Sequence, residues 1–212
     1  MPGYILHLTA AKMFLDCSEN DFYVGNLLPD VTSDKKVSHF RNPEYEGNMI
    51  EYPNLDLFLK KYQNQLDDLC VYGYYFHLYV DNKFFSEYFP SRFTLLDDEG
   101  NRVCKREDTT KVRIEATGEM IARDDFFSEK YYYGDFTKMN NYLIERFGID
   151  FNFQVPKDKR FIDEVNYDDL NRVMEELKVF TETPIDEIYN LRVFQIEDLL
   201  DFLKTIVEEW NN

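Results

Sequence analysis

Apolar residues recur along most of this chain at the three- and four-residue spacing of amphipathic helices. Between Tyr4 and Phe14, YILHLTAAKMF, the stripe His7, Ala10, Ala11, Phe14 predicts a helix whose inward face carries an imidazole. Its two alanines would let another helix approach closely, for packing or for a ligand cluster. Within residues 21–40, DFYVGNLLPDVTSDKKVSHF, an apolar segment ends at Pro29 and Asp30, and a polar loop leads on to His39. Pro29 is expected to bias Leu28 away from helix and to fix the turn that carries Asp30. Residues 42–53 read as a surface connection bounded by Pro43 and Pro53, followed by a helix over about 55–66. The next helix, Leu69–Phe85, LCVYGYYFHLYVDNKFF, is apolar and aromatic yet carries His77 and Asp81. Gly73, one turn before His77, weakens that helix but permits close backbone approach by a neighbour, and the rings of Tyr72, Tyr74, Tyr75, Phe76 and Tyr79 surround it.

After Pro90 the pattern changes. FTLLDDEGNRVCKRE reads as two short strands joined by a DEGN turn, a small β-hairpin near residues 93–105. Residues 111–136 begin with strand-like alternation and continue as a helix whose boundaries the pattern does not place. FTKMNNYLIERF, residues 136–147, predicts a helix that Gly148 terminates. IDFNFQVPKDKRF reads as a loop with some extended structure. Tyr167–Phe180 predicts a helix with Asp168 or Asp169 near its start, and a last helix is expected over Ile196–Trp210. The expectation is a mainly α protein: a single domain over residues 1–212, with a hairpin insertion at 92–118 and C-terminal helices from 136 onward.

The 212 residues suit one well-packed domain, and a hydrophobic content of 44% with 16 Tyr and 19 Phe supplies a core and rings to line a cleft. A formal charge of −17 disfavours passive attraction to nucleic acid or anionic membranes. Residues 163–212 hold 14 acidic side chains against 4 basic ones and read as a solvated helical exterior. The odd set Cys17, Cys70 and Cys104, with no CxxC pair, indicates reduced and mostly packing cysteines. No basic leader precedes a long apolar run and no stretch has the apolar length of a membrane span, so the cytoplasm is the expected location.

The chemistry-bearing residues are concentrated early. All three histidines, His7, His39 and His77, lie within the first 81 residues, together with Asp30 and Asp81. In a helix His77 and Asp81 share a face at a spacing that allows either a shared metal ion or a buried hydrogen bond. Asp30 caps a turn or serves as a ligand, and His39 is a solvent-facing loop residue or a ligand. Lys35, Lys36 and Arg41 are surface charges or flank an anionic group. Asp135, in YYYGDF, reads as a helix N-cap or as a further cleft residue. Imidazole and carboxylate ligands suit zinc first and other divalent metals after it.

In order, HLTAA, GNLLPD, SHF and GYYFHLYVD resemble the N-terminal motifs of the bacterial zinc-dependent phospholipase C family, whose wider helical superfamily includes P1-type nucleases. The resemblance covers about residues 4–85. It implies that fold, with Asp30, His39, His77 and Asp81 binding one metal and His7 belonging to an adjacent metal site that shares Asp81. That family's pattern continues with further histidines and a glutamate, whereas no histidine follows His77 here. Its secreted members also use their mature N-terminal amine as a ligand, whereas this chain opens with Met-Pro six residues before His7. A mononuclear or reduced two-metal centre is therefore expected rather than a trinuclear one.

Such a centre implies a metal-dependent hydrolase of phosphoesters, phospholipase C-like or phosphodiesterase-like, acting through an activated water. His7 and Asp30 are the candidate catalytic residues, His7 or a carboxylate not engaged by metal being the base. The acidic chain favours a small soluble phosphoester or a zwitterionic lipid head group as substrate. The alternative is a non-catalytic helical protein in which a metal or a His–Asp network fixes the core and the Tyr-rich surface binds a protein partner.

Overall fold

The computed structural model describes residues 3–15, 19–154 and 162–211, which leaves Cys17 and the 155–161 part of the expected 149–161 loop outside the described residues. The fold is mainly helical with a small three-stranded antiparallel sheet. Helix α1, Tyr4–Phe14, buries every side chain from Ile5 to Ala11 and packs against α2, Asn20–Leu27, as well as against two C-terminal helices. Helix α2 runs without interruption into a 3₁₀ turn, Leu28–Asp30. Leu28 keeps right-handed helical angles (φ −54°, ψ −40°), contrary to the bias expected from Pro29. The proline stands at the second position of the new turn, where its missing amide leaves no helical bond unmade, and the turn closes from the Val31 amide to the Leu28 carbonyl. The short helix α3, Lys35–Ser38, is capped by Asp34, whose carboxylate accepts from the Val37 amide.

Helix α4, Leu55–Tyr62, leads to α5, Leu69–Lys83, which starts at an Asp68 cap that accepts from the Cys70 and Val71 amides. Helices α2 and α5 cross closely because each has a glycine at the crossing. A Cβ on Gly25 would stand 2.0 Å from the Cys70 carbonyl oxygen, and one on Gly73 would stand 2.1 Å from that of Phe22. The rings around Gly73 pack rather than open a cleft: Tyr74 stacks on Phe58, while Tyr72, Tyr75, Phe76 and Tyr79 surround Trp210. Beyond Lys83 the helix widens into one π-helical turn, Phe84–Tyr88, before α6, Phe89–Arg92. Pro90 lacks the amide that would extend the α-helical ladder, and the widening lies in the turn before it.

Strand β1, Phe93–Leu96, is followed by the predicted reversal, in which Gly100 takes φ +88° and the Asp97 carboxylate accepts from the Asn101 amide. Leu96 bridges Arg102 across it. The regular partner of β1 is nevertheless β2, Lys111–Ile114, which pairs in turn with β3, Met120–Ala122. The segment after the reversal stays with β1 only briefly, the Val103 amide donating to the Leu95 carbonyl, and beyond it meets an earlier loop: the Met49 amide donates to the Cys104 carbonyl, and Asn48 bridges Lys105. Cys104 is exposed rather than a packing residue, whereas Cys70 is buried.

Helix α7, Arg123–Phe126, precedes α8, Tyr132–Phe147, which ends as predicted at a left-handed Gly148 (φ 57°). Because α8 begins four residues earlier than the pattern suggested, Asp135 lies inside its first turns and caps nothing. Its carboxylate instead accepts from the amides of Arg192, Val193 and Phe194. Helices α9, Leu170–Val179, and α10, Ile196–Trp210, bury one apolar face each and turn most of their charges outward. No helix among the described residues is long and apolar enough to cross a membrane.

Candidate metal centre

Five side chains from three segments meet under the α2–α5 crossing: His7 from α1, Asp30 and His39 from either side of the 28–38 bend, and His77 and Asp81 from α5. All are buried, Asp30 being the most exposed at 7%. His39, which the sequence left open as a solvent-facing residue, is 1% exposed. The grouping forms two triads that share His77: His7, His77 and Asp81, and Asp30, His39 and His77.

The outward nitrogens of two imidazoles are held by fixed partners. His77 Nδ1 lies 2.7 Å from the Asn26 carbonyl oxygen, an acceptor only, so Nδ1 carries the proton and Nε2 presents its lone pair inward. Ser38 donates its hydroxyl proton to the Pro29 carbonyl at 2.8 Å, so at 3.1 Å from His39 Nδ1 its oxygen acts as the acceptor. His39 Nε2 is then also unprotonated. These two lone-pair nitrogens stand 3.4 Å apart. Without a cation between them the contact is repulsive, and it is the kind of arrangement that outer partners impose on metal-ligating histidines.

The carboxylates complete the shell. Asp30 Oδ1 is 3.5 Å from His39 Nε2 and Asp30 Oδ2 is 4.0 Å from His77 Nε2. Asp81 Oδ2 is 3.5 Å from His39 Nε2 and 3.9 Å from His77 Nε2, and Asp81 Oδ1 is 3.2 Å from His7 Nε2. Tetrahedral bonds of 2.0–2.1 Å give ligand–ligand edges of about 3.4 Å, so these separations are those of a coordination shell slightly expanded. Apart from the 3.2 Å contact of His7 with Asp81, they are long for hydrogen bonds. Both Asp81 oxygens and both His7 nitrogens are buried without any hydrogen bond. A His–Asp network serving only the core would leave no such set of orphaned atoms, so the donor set fits a divalent cation.

Charge supports the same fit. Burial works against ionising Asp30, but the His39 contact and the charges of His77, His39 and Lys35 outweigh it and hold the carboxyl well below its ordinary value. Burial likewise opposes Asp81, and the His7 contact with the other imidazoles overcomes it. Burial and the neighbouring His7 depress His77 to about 3, more than the attraction of Asp30 and Asp81 restores, so it is a neutral ligand at pH 7. Lys35 compensates Asp30 in part, with its ammonium 3.0 Å from Oδ1 and also bonded to the Asp30 backbone carbonyl. Asp81 has imidazoles alone around it.

No family model, curated protein or solved structure matches this chain. The site therefore rests on its own geometry. All five residues singled out from the sequence as candidate ligands are brought together, and Asp135 is held elsewhere by the 192–194 amides. Lys35 belongs to the site, whereas Lys36 pairs with Glu46 and Arg41 with Glu51. Sequence reasoning missed Asn26 and Ser38, the residues that fix the two tautomers. Ser38 directly precedes a candidate ligand, which was a usable signal. Asn26 acts through its backbone carbonyl, so nothing in its identity could have marked it.

Proposed function

We propose that the chain is a metal-dependent phosphoester hydrolase, zinc being the first expectation for the metal. The observation that carries this reading is the pair of inward Nε2 lone pairs 3.4 Å apart, flanked by two buried, ionised carboxylates. Two carboxylates and neutral imidazoles match the charge of one divalent cation, held by Asp30, His39, His77 and Asp81. When bound, such an ion acidifies a water and polarises a phosphoryl oxygen. Hydrolysis of a phosphoester would add the hydroxide of a water to phosphorus as one P–O ester bond breaks, with the water's other proton passing to the departing oxygen. His7 is the first candidate for holding that proton, with its Nε2 3.2 Å from Asp81 Oδ1 and its ring stacked on His77 at 3.6 Å. Asp30 is the second candidate for a proton-handling role, being the ligand nearest solvent. The resemblance of HLTAA, GNLLPD, SHF and GYYFHLYVD to the zinc-dependent phospholipases supports the same chemistry.

Ligands this deeply buried also suit a structural metal, whose sites are closed. In that second reading the cation fixes α1, the 28–38 bend and α5 together and the protein binds a partner. One experiment separates the two. Purified protein is assayed for metal by elemental analysis and for alcohol or phosphate release from soluble mono- and diesters, then again after chelation and as the His77→Ala and Asp81→Asn variants. Turnover that disappears in step with bound metal supports the hydrolase, and turnover that survives chelation refutes it. Stoichiometric metal with no turnover on any ester leaves the structural role.

A further inference from the structure

A cavity of about 490 Å³ is lined in part by residues that follow members of the cluster in the chain. Phe85, four residues beyond Asp81, lines it; so does Arg41, two residues beyond His39; and so does Tyr132 at the start of α8. In a chain of net charge −17 this cavity gathers three arginines, Arg41, Arg106 and Arg123. Two are partly neutralised: Arg41 lies 3.3 Å from Glu51, and Arg123 lies 2.8 Å from Asp124 while also donating to the Arg106 and Thr109 carbonyls. Both acidic residues line the same cavity, so the lining keeps an excess of one positive charge.

Three donors there have no protein acceptor among the described residues. The Arg41 Nε is buried and unbonded. The Tyr132 hydroxyl is likewise buried without a partner, on a side chain 1% exposed. Burial first, then the charges of Tyr133 and Asp81, hold that phenol protonated, so it can only seek an acceptor. At the exposed mouth, Arg106 has no ion pair among the described residues. Buried donors left without acceptors cost free energy that an oxyanion would recover, and guanidinium groups match phosphate oxygens in geometry and charge.

We infer that this cavity is a phosphate-binding subsite, in which Arg106, Arg41 and the Tyr132 hydroxyl hold a phosphate group carried by the substrate. The inference rests on and deepens the hydrolase reading by naming a substrate that carries an anionic phosphate, and that phosphate need not be the ester that is cleaved. It resolves a conflict in the composition: a strongly acidic chain repels anions at long range and recognises one only where arginines are collected locally.

The test is calorimetric titration of the full-length protein as purified with inorganic phosphate, and a flotation assay with vesicles of phosphatidylcholine with and without phosphatidic acid. Arg106→Gln is the main variant because Arg106 is exposed and its loss leaves the fold intact. Saturable phosphate binding that weakens about tenfold or more in Arg106→Gln, and several-fold in Tyr132→Phe, at unchanged metal content, establishes the subsite. Binding confined to phosphatidic acid vesicles, with the same dependence on Arg106, assigns the phosphate to a lipid head group. Affinity unaltered by Arg106→Gln, or no saturable binding in either format, overturns the inference. Arg106-dependent binding by a protein that hydrolyses nothing would leave the subsite standing while the hydrolase reading fell.

Discussion

Two carboxylates among the described residues are completely buried, and their surroundings are opposite. Asp135 is met by backbone amides: Oδ2 accepts from Arg192, Val193 and Phe194 at 2.8, 2.7 and 3.1 Å, and Oδ1 faces the Arg192 amide and Lys138. Asp81 has no hydrogen bond at either oxygen and is ringed by imidazole nitrogens 3.2–3.9 Å away. The first charge is fully solvated by the protein and pins the chain before α10 to the first turns of α8. The second is left for something else to complete. Burial of a carboxylate thus does not by itself identify a functional site; the kind of partner it is given does.

The sharpest way to break this contrast is to neutralise each carboxylate in place. Asp81→Asn should lower metal affinity by more than about a hundredfold, read by elemental analysis and competition with a chelator, because one anionic ligand is lost from a shell whose charge balance needs it. Asp135→Asn should leave metal content unchanged and instead reduce unfolding free energy by about 3 kcal/mol in urea titrations, since an amide cannot accept as many of the 192–194 donors as a carboxylate does. If the Asp135 variant lost its metal, the division between a structural and a ligating carboxylate would be untenable.

The same contrast explains what could be read in the sequence. Asp81 was legible because His77 stands four residues before it on a helix whose apolar character is unmistakable, and because His7, Asp30 and His39 precede it in an order that carries a resemblance. Asp135, read as a cap or a cleft residue, is neither, because its acceptor role depends on residues 192–194, some 57 positions away, and no local pattern reports a long-range amide nest. Helices α1, α4, α5, α9 and α10, the Gly148 stop and the close approach at Gly73 followed from spacing and glycine chemistry, whereas α2 and α7 did not. Nor did the pairing of β1 with residues 111–114, since the expected arm at 101–103 meets β1 only briefly and the 47–49 loop takes the residues just beyond it.

Acid should expose the cluster before it exposes other buried charges. His77 is held near 3 in the folded chain by burial and by His7, against 6.5 for a free imidazole. Below the free value the unfolded chain takes up a proton that the folded chain refuses, so stability present at pH 7 falls as pH drops from about 6.5 toward 3. Between pH 6.5 and 5 the loss is on the order of 2 kcal/mol, at about 1.4 kcal/mol per pH unit. Asp30 and Asp81, depressed below 3.8, add to the decline only further down. Thermal melts of the metal-free protein at stepped pH give the answer, and a decline that starts only below pH 4 would place acid lability in the carboxylates and not in His77.

The finest test concerns a hydroxyl. Ser38 receives the His39 Nδ1 proton at 3.1 Å and gives its own to the Pro29 carbonyl, so it fixes which nitrogen of His39 faces Asp30, Asp81 and His77. Ser38→Ala removes the acceptor and frees the ring to carry its proton on Nε2, where it would point at the other ligands and obstruct a cation. The expected cost to folding is about 1 kcal/mol, as for one buried hydrogen bond, whereas metal affinity should fall about tenfold or more. A role confined to packing would move stability and leave affinity unchanged. Nuclear magnetic resonance of the imidazole nitrogens reports the tautomer directly, and an Nε2-protonated His39 in the wild-type protein would remove the lone pair on which the opposition between the two carboxylates depends.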